Sequence, residues 1–419
     1  MQSNDPNERR GLLENLVQDE QTLPYVNGSL SPSRPTVMAS PIALTAAERS
    51  LKPDEAILEY VLADPASYCL VITRTKSAII KLPAGRKQIQ ELTSAFLNAV
   101  QAGKPATNQA QPLYAWLIAL LPAEVQKPRI IIVPDGRLHV LPFECLQDAS
   151  GHYLIESRVI SYAPSATTLY YLKAAQRTRP AKLALLGLGG VEYQTGNMPF
   201  MNTTGHRITR AVSRGIFDLT GVHLNNLPAS RSEVTGVSQA LGRQDSVLLV
   251  GGAATETAFK REPLGDFKII YLAVHAAATP KYPERSALLL GRDPKSSDDG
   301  LLQVREIVNL PLNADLVTLS ACDTGKGKLE GEEGEISLVQ AFLVAGARSV
   351  VAALWNVDDA STATLMVRFY TYLAKGEDKA AALRDAKLDL LRSLTDNAPA
   401  YWAGFTLTGD GDTPINFSQ

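Results

Sequence analysis

Between residues 183 and 353, short β-branched and aliphatic runs return at regular intervals, and the stretches separating them carry helical periodicity. "KLALLGLG", "SVLLVGG", "FKIIYLAV", "SALLLG", "ADLVTLSA" and "RSVVAALW" read as strands. "RSEVTGVSQALG", "TETAFKRE", "LLQVREIVNL" and "EISLVQAFLVAG" read as helices, and two further helices close the chain. Apolar strands separated by amphipathic helices specify a mostly parallel sheet covered on both faces, so the expected class is α/β. In such sheets, functional groups collect at the carboxyl ends of the strands.

An earlier α/β unit precedes this one. "AILEYVLAD", "SYCLVITRT" and "SAIIKLPA" read as strands, "RKQIQELTSAFLNAVQAG" and "PLYAWLIALLPAEVQ" as helices, and "RIIIVPDGRLHVLPFECL" as strand, turn and strand. A connecting segment leads to a helical "TLYYLKAAQRT". The expected organisation is an arm or linker over 1–53, a first unit over 54–178 and a second over 179–419. The arm holds one helix-like piece, "NERRGLLENLVQDE", and then a stretch rich in Pro, Ser, Asn and Gly.

A net charge of −2 on 419 residues leaves no basic footprint, so a protein or small-molecule substrate is expected and nucleic acid is not. No apolar run reaches membrane-spanning length, and the polar N-terminus lacks the core of a signal peptide. The three cysteines, Cys69, Cys145 and Cys322, cannot build a disulfide framework or a four-cysteine metal site, which points to a reducing, cytoplasmic compartment.

The chemistry-bearing residues sit at two of the strand ends. "IIYLAVHAAATP" places His275 after one apolar run, and "LVTLSACDTGKG" places Cys322 after another, 47 residues on. Parallel strands bring those ends to one edge of the sheet, and the spacing is close to the value of about 50 residues that separates histidine from a downstream nucleophilic cysteine in caspase-type signatures. The pair suits acyl transfer: a thiolate attacks a peptide carbonyl, His275 gives the leaving amine its proton, and the backbone N–H groups of Ala276 and Cys322 hold the oxyanion. A free thiol with a pKa near 8.5 needs a neighbouring imidazolium or helix N-terminus to ionise at neutral pH.

Rival features are weaker. Cys69 lies within "SYCLVI" and reads as core. Cys145 follows His139 by six residues, but an extended strand separates those positions by about 20 Å, so that pair reads as structural. "EGEEGE" (330–335) is the one place for calcium, and its spacing does not match an EF-hand loop. "LLGLGGVEY" lacks the full dinucleotide fingerprint, so no cofactor is expected. Residues 193–231 form an unusually long connection with several arginines; this loop is expected to be regulatory, by covering the site or by self-cleavage.

"HVLPFECL", "LPASRSEV", "ATETAFK", "YLAVHAAATP", "LVTLSACDTGKG", "AFLVAGARSVVAALWNVDD" and "PAYWAGFTLTGD" together resemble the CHAT family, caspase-like peptidases related to separase. The likeness runs from about residue 55 to the C-terminus. It implies a non-catalytic caspase-like half over 54–178, an active half over 179–419, endopeptidase activity through a dyad of Cys322 and His275, and often an upstream tetratricopeptide or other sensor module. The family usually has glycine after the histidine; here the residue is Ala276, which still offers its N–H. "LWNVDD" resembles the separase stretch "LWDVTD", whose last aspartate helps bind a substrate arginine. By position that aspartate is Asp359, beside Asp358; Ser320 completes the expected substrate-binding set. A carboxylate there would pair bidentately with arginine. "DDASTATL" also reads as a helix N-cap, and the two roles are compatible. The alternatives to a regulated endopeptidase are an inert caspase-like scaffold that binds a protein partner, and hydrolysis of a small amide.

Overall fold

The computed structural model describes residues 41–175, 179–193, 226–242, 244–278, 283–320, 332–355, 357–393 and 398–417. The expected N-terminal helix piece and most of the 193–231 connection lie outside them. Fourteen strands are present among the described residues: β1 (Glu55–Val61), β2 (Tyr68–Thr73), β3 (Ser77–Lys81), β4 (Arg129–Val133), β5 (Val159–Tyr162), β6 (Leu183–Gly189), β7 (Ser246–Val250), β8 (Phe267–Ala273), β9 (His275–Ala277), β10 (Ala287–Leu289), β11 (Leu301–Gln303), β12 (Leu316–Leu319), β13 (Ser349–Ala353) and β14 (Phe405–Gly409). The longer helices are α1 (Arg86–Gln101), α2 (Ala166–Ala174), α3 (Pro228–Leu241), α4 (Glu332–Ala345), α5 (Asp359–Ala374) and α6 (Lys379–Ser393).

Eleven strands form one sheet in the order β3-β2-β1-β4-β5-β14-β13-β12-β8-β6-β7, and β11-β10-β9 form a small second sheet. Within the large sheet β1, β4 and β5 are parallel, as are β13, β12, β8, β6 and β7; β1–β2, β2–β3 and β13–β14 are antiparallel. Parallel central strands must be covered on both faces, which is why β8 is buried along its whole length. Ile269, Tyr271 and Ala273 face the core that holds α3 and α5, whereas Ile270 and Leu272 face the opposite core with Phe342 of α4. The former core is continuous across both halves of the chain, from Leu58 and Phe96 to Ile269, Leu316 and Phe369.

Two strands that the sequence reading passed over, β5 and β14, make the join. β14 returns from the end of the chain, lies antiparallel to β13 and meets β5 at Thr408 and Tyr162. Gly409 stands opposite Ser349, so the end of β14 lies beside the start of β13. Just beyond it, Asp412 contacts Lys173 at 3.3 Å, and Lys173 binds Glu55, the first residue of β1, at 2.9 Å. The starts of β1 and β13 therefore share one edge, and the carboxyl ends of the parallel strands lie at the other.

Two expected elements differ. The second strand of "RIIIVPDGRLHVLPFECL" is replaced by two 3-10 turns, Gly136–Val140 and Phe143–Cys145, separated by Pro142, which has no N–H for a strand ladder. "LLQVREIVNL" divides into β11 and a single helical turn, Val304–Ile307, because Leu301–Gln303 pair with β10.

A buried ion pair ties the halves at this join. Lys387 of α6 meets Glu144 at 2.8 Å, with both side chains almost fully buried (1% and 4% exposed), and Tyr162 of β5 donates to the same carboxylate at 2.6 Å. Removing one partner strands the other charge in the core. Lys387→Met is therefore expected to lower unfolding stability by roughly 3–5 kcal/mol in a denaturant titration, and Lys387→Met combined with Glu144→Leu to recover much of that loss.

Candidate active site

β12 pairs in parallel with β8, Leu319 opposite Leu272, and the Ser320 N–H donates to the Leu272 carbonyl at 3.0 Å. This bond is the last described link between the two strand ends. Beyond it, one chain bends at Val274 and reaches His275 three residues after Leu272. The other reaches Cys322 two residues after Ser320. Cys322 and its neighbours 321–331 lie outside the described residues. Strands hydrogen-bonded side by side are about 4.8 Å apart, so the thiol and the imidazole each stand a few residues from a common anchor.

The sequence placed His275 at the end of a strand; in the structure it opens β9. β8 stops at Ala273, and the chain turns out of the large sheet to pair with β10, Leu289 opposite His275 and Leu288 opposite Ala276. His275 is buried, 7% exposed. Its N–H donates to the Tyr193 hydroxyl at 3.0 Å, which donates in turn to the Leu289 carbonyl at 2.8 Å, and the two rings lie tilted with centroids 5.0 Å apart. Tyr193 thus stitches the end of the β6 connection to the start of β9. It ends the "LLGLGGVEY" run, and nothing in its sequence neighbourhood marks it as a partner of His275.

On the helical side of β12 lies a buried polar group. Glu233 of α3, 6% exposed, accepts from the Tyr271 hydroxyl and from the Ser320 hydroxyl, which also reaches Tyr271. Tyr370 of α5 bonds Thr318 of β12 at 2.7 Å and stacks edge-on to Tyr271 at 5.5 Å. Burial pushes the Glu233 carboxyl up to about 7; the two hydrogen bonds oppose that rise, and the negative charge of Asp359 adds to it. α3 reaches this close to the sheet because β6 carries glycine beneath it. A Cβ on Gly189 would stand 2.7 Å from the Ser230 carbonyl oxygen, and one on Gly187 would stand 2.5 Å from Val234 Cγ1. The glycines of "LGLGG" serve helix packing.

Asp358 is the N-cap of α5, accepting from the Ser361 N–H at 3.0 Å. Asp359 begins that helix, exposed to solvent, near enough to Glu233 to act on its titration. The acidic run 330–335 lies outside the described side chains. Among the described residues no group of three or more His, Cys, Asp or Glu is placed to hold a metal ion, and no helix is long and apolar enough to cross a membrane.

The other two cysteines are poor nucleophiles. Burial pushes the Cys69 thiol up to about 12 and the Cys145 thiol well above its ordinary range. Iodoacetamide applied to the native protein at neutral pH is expected to leave both unmodified, as read by peptide mass spectrometry. Tyr193→Phe removes the hydroxyl that joins His275 to Leu289 and is expected to cost roughly 1–3 kcal/mol of unfolding stability.

The CHAT domain family profile matches residues 107–410. Tetratricopeptide repeat protein 28 of Mus musculus and that of Homo sapiens are each 25% identical over 383 residues, covering 79% of this chain. The chain spans 15% of the length of those relatives. Among solved structures, a Saccharomyces cerevisiae separase–securin complex superposes with a TM-score of 0.50 at 11% identity, covering 87% of this chain and 30% of the separase chain. The matched span, together with the α/β sheet described above, establishes that the chain belongs to the CHAT domain family and has a caspase-like fold.

Proposed function

We propose that this chain is a cysteine endopeptidase working through Cys322 and His275. The observation that carries the reading is the Ser320–Leu272 bond, which binds the carboxyl end of the thiol strand to that of the imidazole strand. The Cys322 sulfur adds to a peptide carbonyl, His275 protonates the departing amine, and water drawn on by His275 then hydrolyses the acyl-enzyme. Successive N–H groups of a strand point to opposite sides, so Ala276 offers its N–H on the side away from the Tyr193 hydroxyl, a donor for the oxyanion together with the Cys322 N–H.

Basic specificity is part of the proposal. Asp359 is exposed at the head of α5, one strand beyond β12, while Asp358 is engaged as the cap. That division leaves Asp359 for a substrate arginine. A shallow cleft at the same edge, lined by Pro134, His139, Tyr162, Leu354 and Thr406, lies beside the join. Regulation by a protein partner or by an upstream repeat module is proposed on the likeness to a separase captured with securin and to proteins named for tetratricopeptide repeats.

An inert scaffold is the second reading, favoured by the burial of His275. Cleavage of peptides with arginine, lysine, leucine or aspartate before the scissile bond separates the two. Cys322→Ala and His275→Ala are each expected to lower kcat/KM by roughly a thousand-fold or more. Turnover that survives either substitution, or none in the parent with or without calcium, removes the proposal. Asp359→Asn is expected to lower kcat/KM for arginine peptides by roughly 10- to 100-fold while sparing leucine peptides.

A further inference from the structure

We propose that Glu233 is a positioning residue for the thiol: held by Tyr271, its carboxylate binds the Ser320 hydroxyl and fixes the end of β12 from which Cys322 follows. The inference rests on Cys322 being the reacting group. Three elements meet at this carboxyl. α3 brings it in over the glycines of β6, Tyr271 rises from β8, and Ser320 ends β12. Tyr370 braces the same strand two residues earlier through Thr318. The strand end is therefore held twice, by its backbone bond to Leu272 and by its side chain to Glu233, and only the second hold can change with conditions.

An ionised carboxylate accepts from both hydroxyls at once. A protonated one carries a proton of its own and gives up acceptor capacity, which loosens the hold on Ser320. The groups facing Glu233 are Tyr271 from β8, Ser320 from β12, and Asp359 from the head of α5, with Tyr370 of α5 lying against Tyr271. Both tyrosines are pushed up by burial and stay neutral. Because burial places the carboxyl near 7, Glu233 ionises as pH rises through neutrality, and the clamp tightens in that direction. The negative charge of Asp359 opposes that ionisation.

The test is the rate of Cys322 alkylation by iodoacetamide in the intact protein, followed by peptide mass spectrometry from about pH 5.5 to 9, a range that brackets both the carboxyl and an ordinary thiol. This readout needs no peptidase activity. In the parent the rate is expected to carry a second titration near pH 7 besides that of the thiol. Glu233→Gln is expected to abolish it and slow alkylation at pH 8 by about fivefold, a loss of the size expected for one positioning hydrogen bond. Ser320→Ala should do the same, and Glu233→Gln combined with Ser320→Ala should add nothing further. Asp359→Asn should move the second titration to lower pH, a shift that a merely structural role of Glu233 would not produce. If the Glu233→Gln chain does not fold, Tyr271→Phe and Ser320→Ala, each lacking one hydroxyl, make the same comparison. A Glu233→Gln profile that superposes on the parent's, or Glu233→Gln and Ser320→Ala effects that multiply in the double variant, overturns the clamp whatever His275→Ala does. A profile altered by Glu233→Gln but indifferent to His275→Ala keeps the clamp and removes the dyad.

Discussion

The parallel pairing of β12 with β8 is the constraint on which the site depends. Side-by-side strands hold a fixed separation, so a single register, Leu319 opposite Leu272 with Ser320 bonded to the Leu272 carbonyl, decides how near a group from one strand end comes to a group from the other. β8 is buried from Phe267 to Ala273, and the flanking helices press on both its faces, so the register cannot slip without turning its core side chains over. What the sheet delivers is proximity. Orientation comes from outside the ladder, through Tyr193 at the backbone of His275 and through Glu233 at the hydroxyl of Ser320.

The first half of the chain contributes no member of the proposed dyad, yet it is built into the same sheet. β14 joins β13 to β5, the core under α3 and α5 runs on beneath β1 and β4, and Lys387 and Glu144 form a buried pair across the join. Such pairs add little net stability, but breaking one is costly, so they favour one way of docking the halves over others. β13 and β14 flank the thiol strand, and the first half in turn flanks them. It therefore acts as a wall against which the carboxyl edge of the second half is set.

The strand and helix periods were legible wherever an element is long and buried on a clear face, as in β6, β8, β12, α1, α3 and α5. They failed where an element owes its existence to a distant partner. β5 is only four residues long, and β14, "FTLTG", has no local signal that separates it from a loop; both form because they pair with strands far away in sequence. β9 was unreadable for the same reason, since "HAA" becomes a strand only through β10. At the site, the sequence puts His275 after the apolar run of β8, and the structure places it one step further on, as the first residue of β9. A helix N-cap in "DDASTATL" is legible in the sequence, which leaves it to Asp358 or Asp359; the structure gives it to Asp358. Glu233 and Tyr193 are not legible, because a carboxylate on an amphipathic helix and a tyrosine after a glycine run reveal nothing until the fold brings them against Ser320 and His275. The glycines of "LGLGG" fall short of a dinucleotide fingerprint, and their use for close helix approach is a property of packing that spacing alone cannot express.

The most direct measurement is a crystal structure of the protein after reaction with an arginyl chloromethyl ketone, which alkylates a thiol only when a basic side chain is seated beside it. The account predicts a covalent bond at the Cys322 sulfur, the His275 imidazole within about 4 Å of it, and the guanidinium against Asp359. An unmodified Cys322, or an imidazole more than about 10 Å from the sulfur, would contradict it.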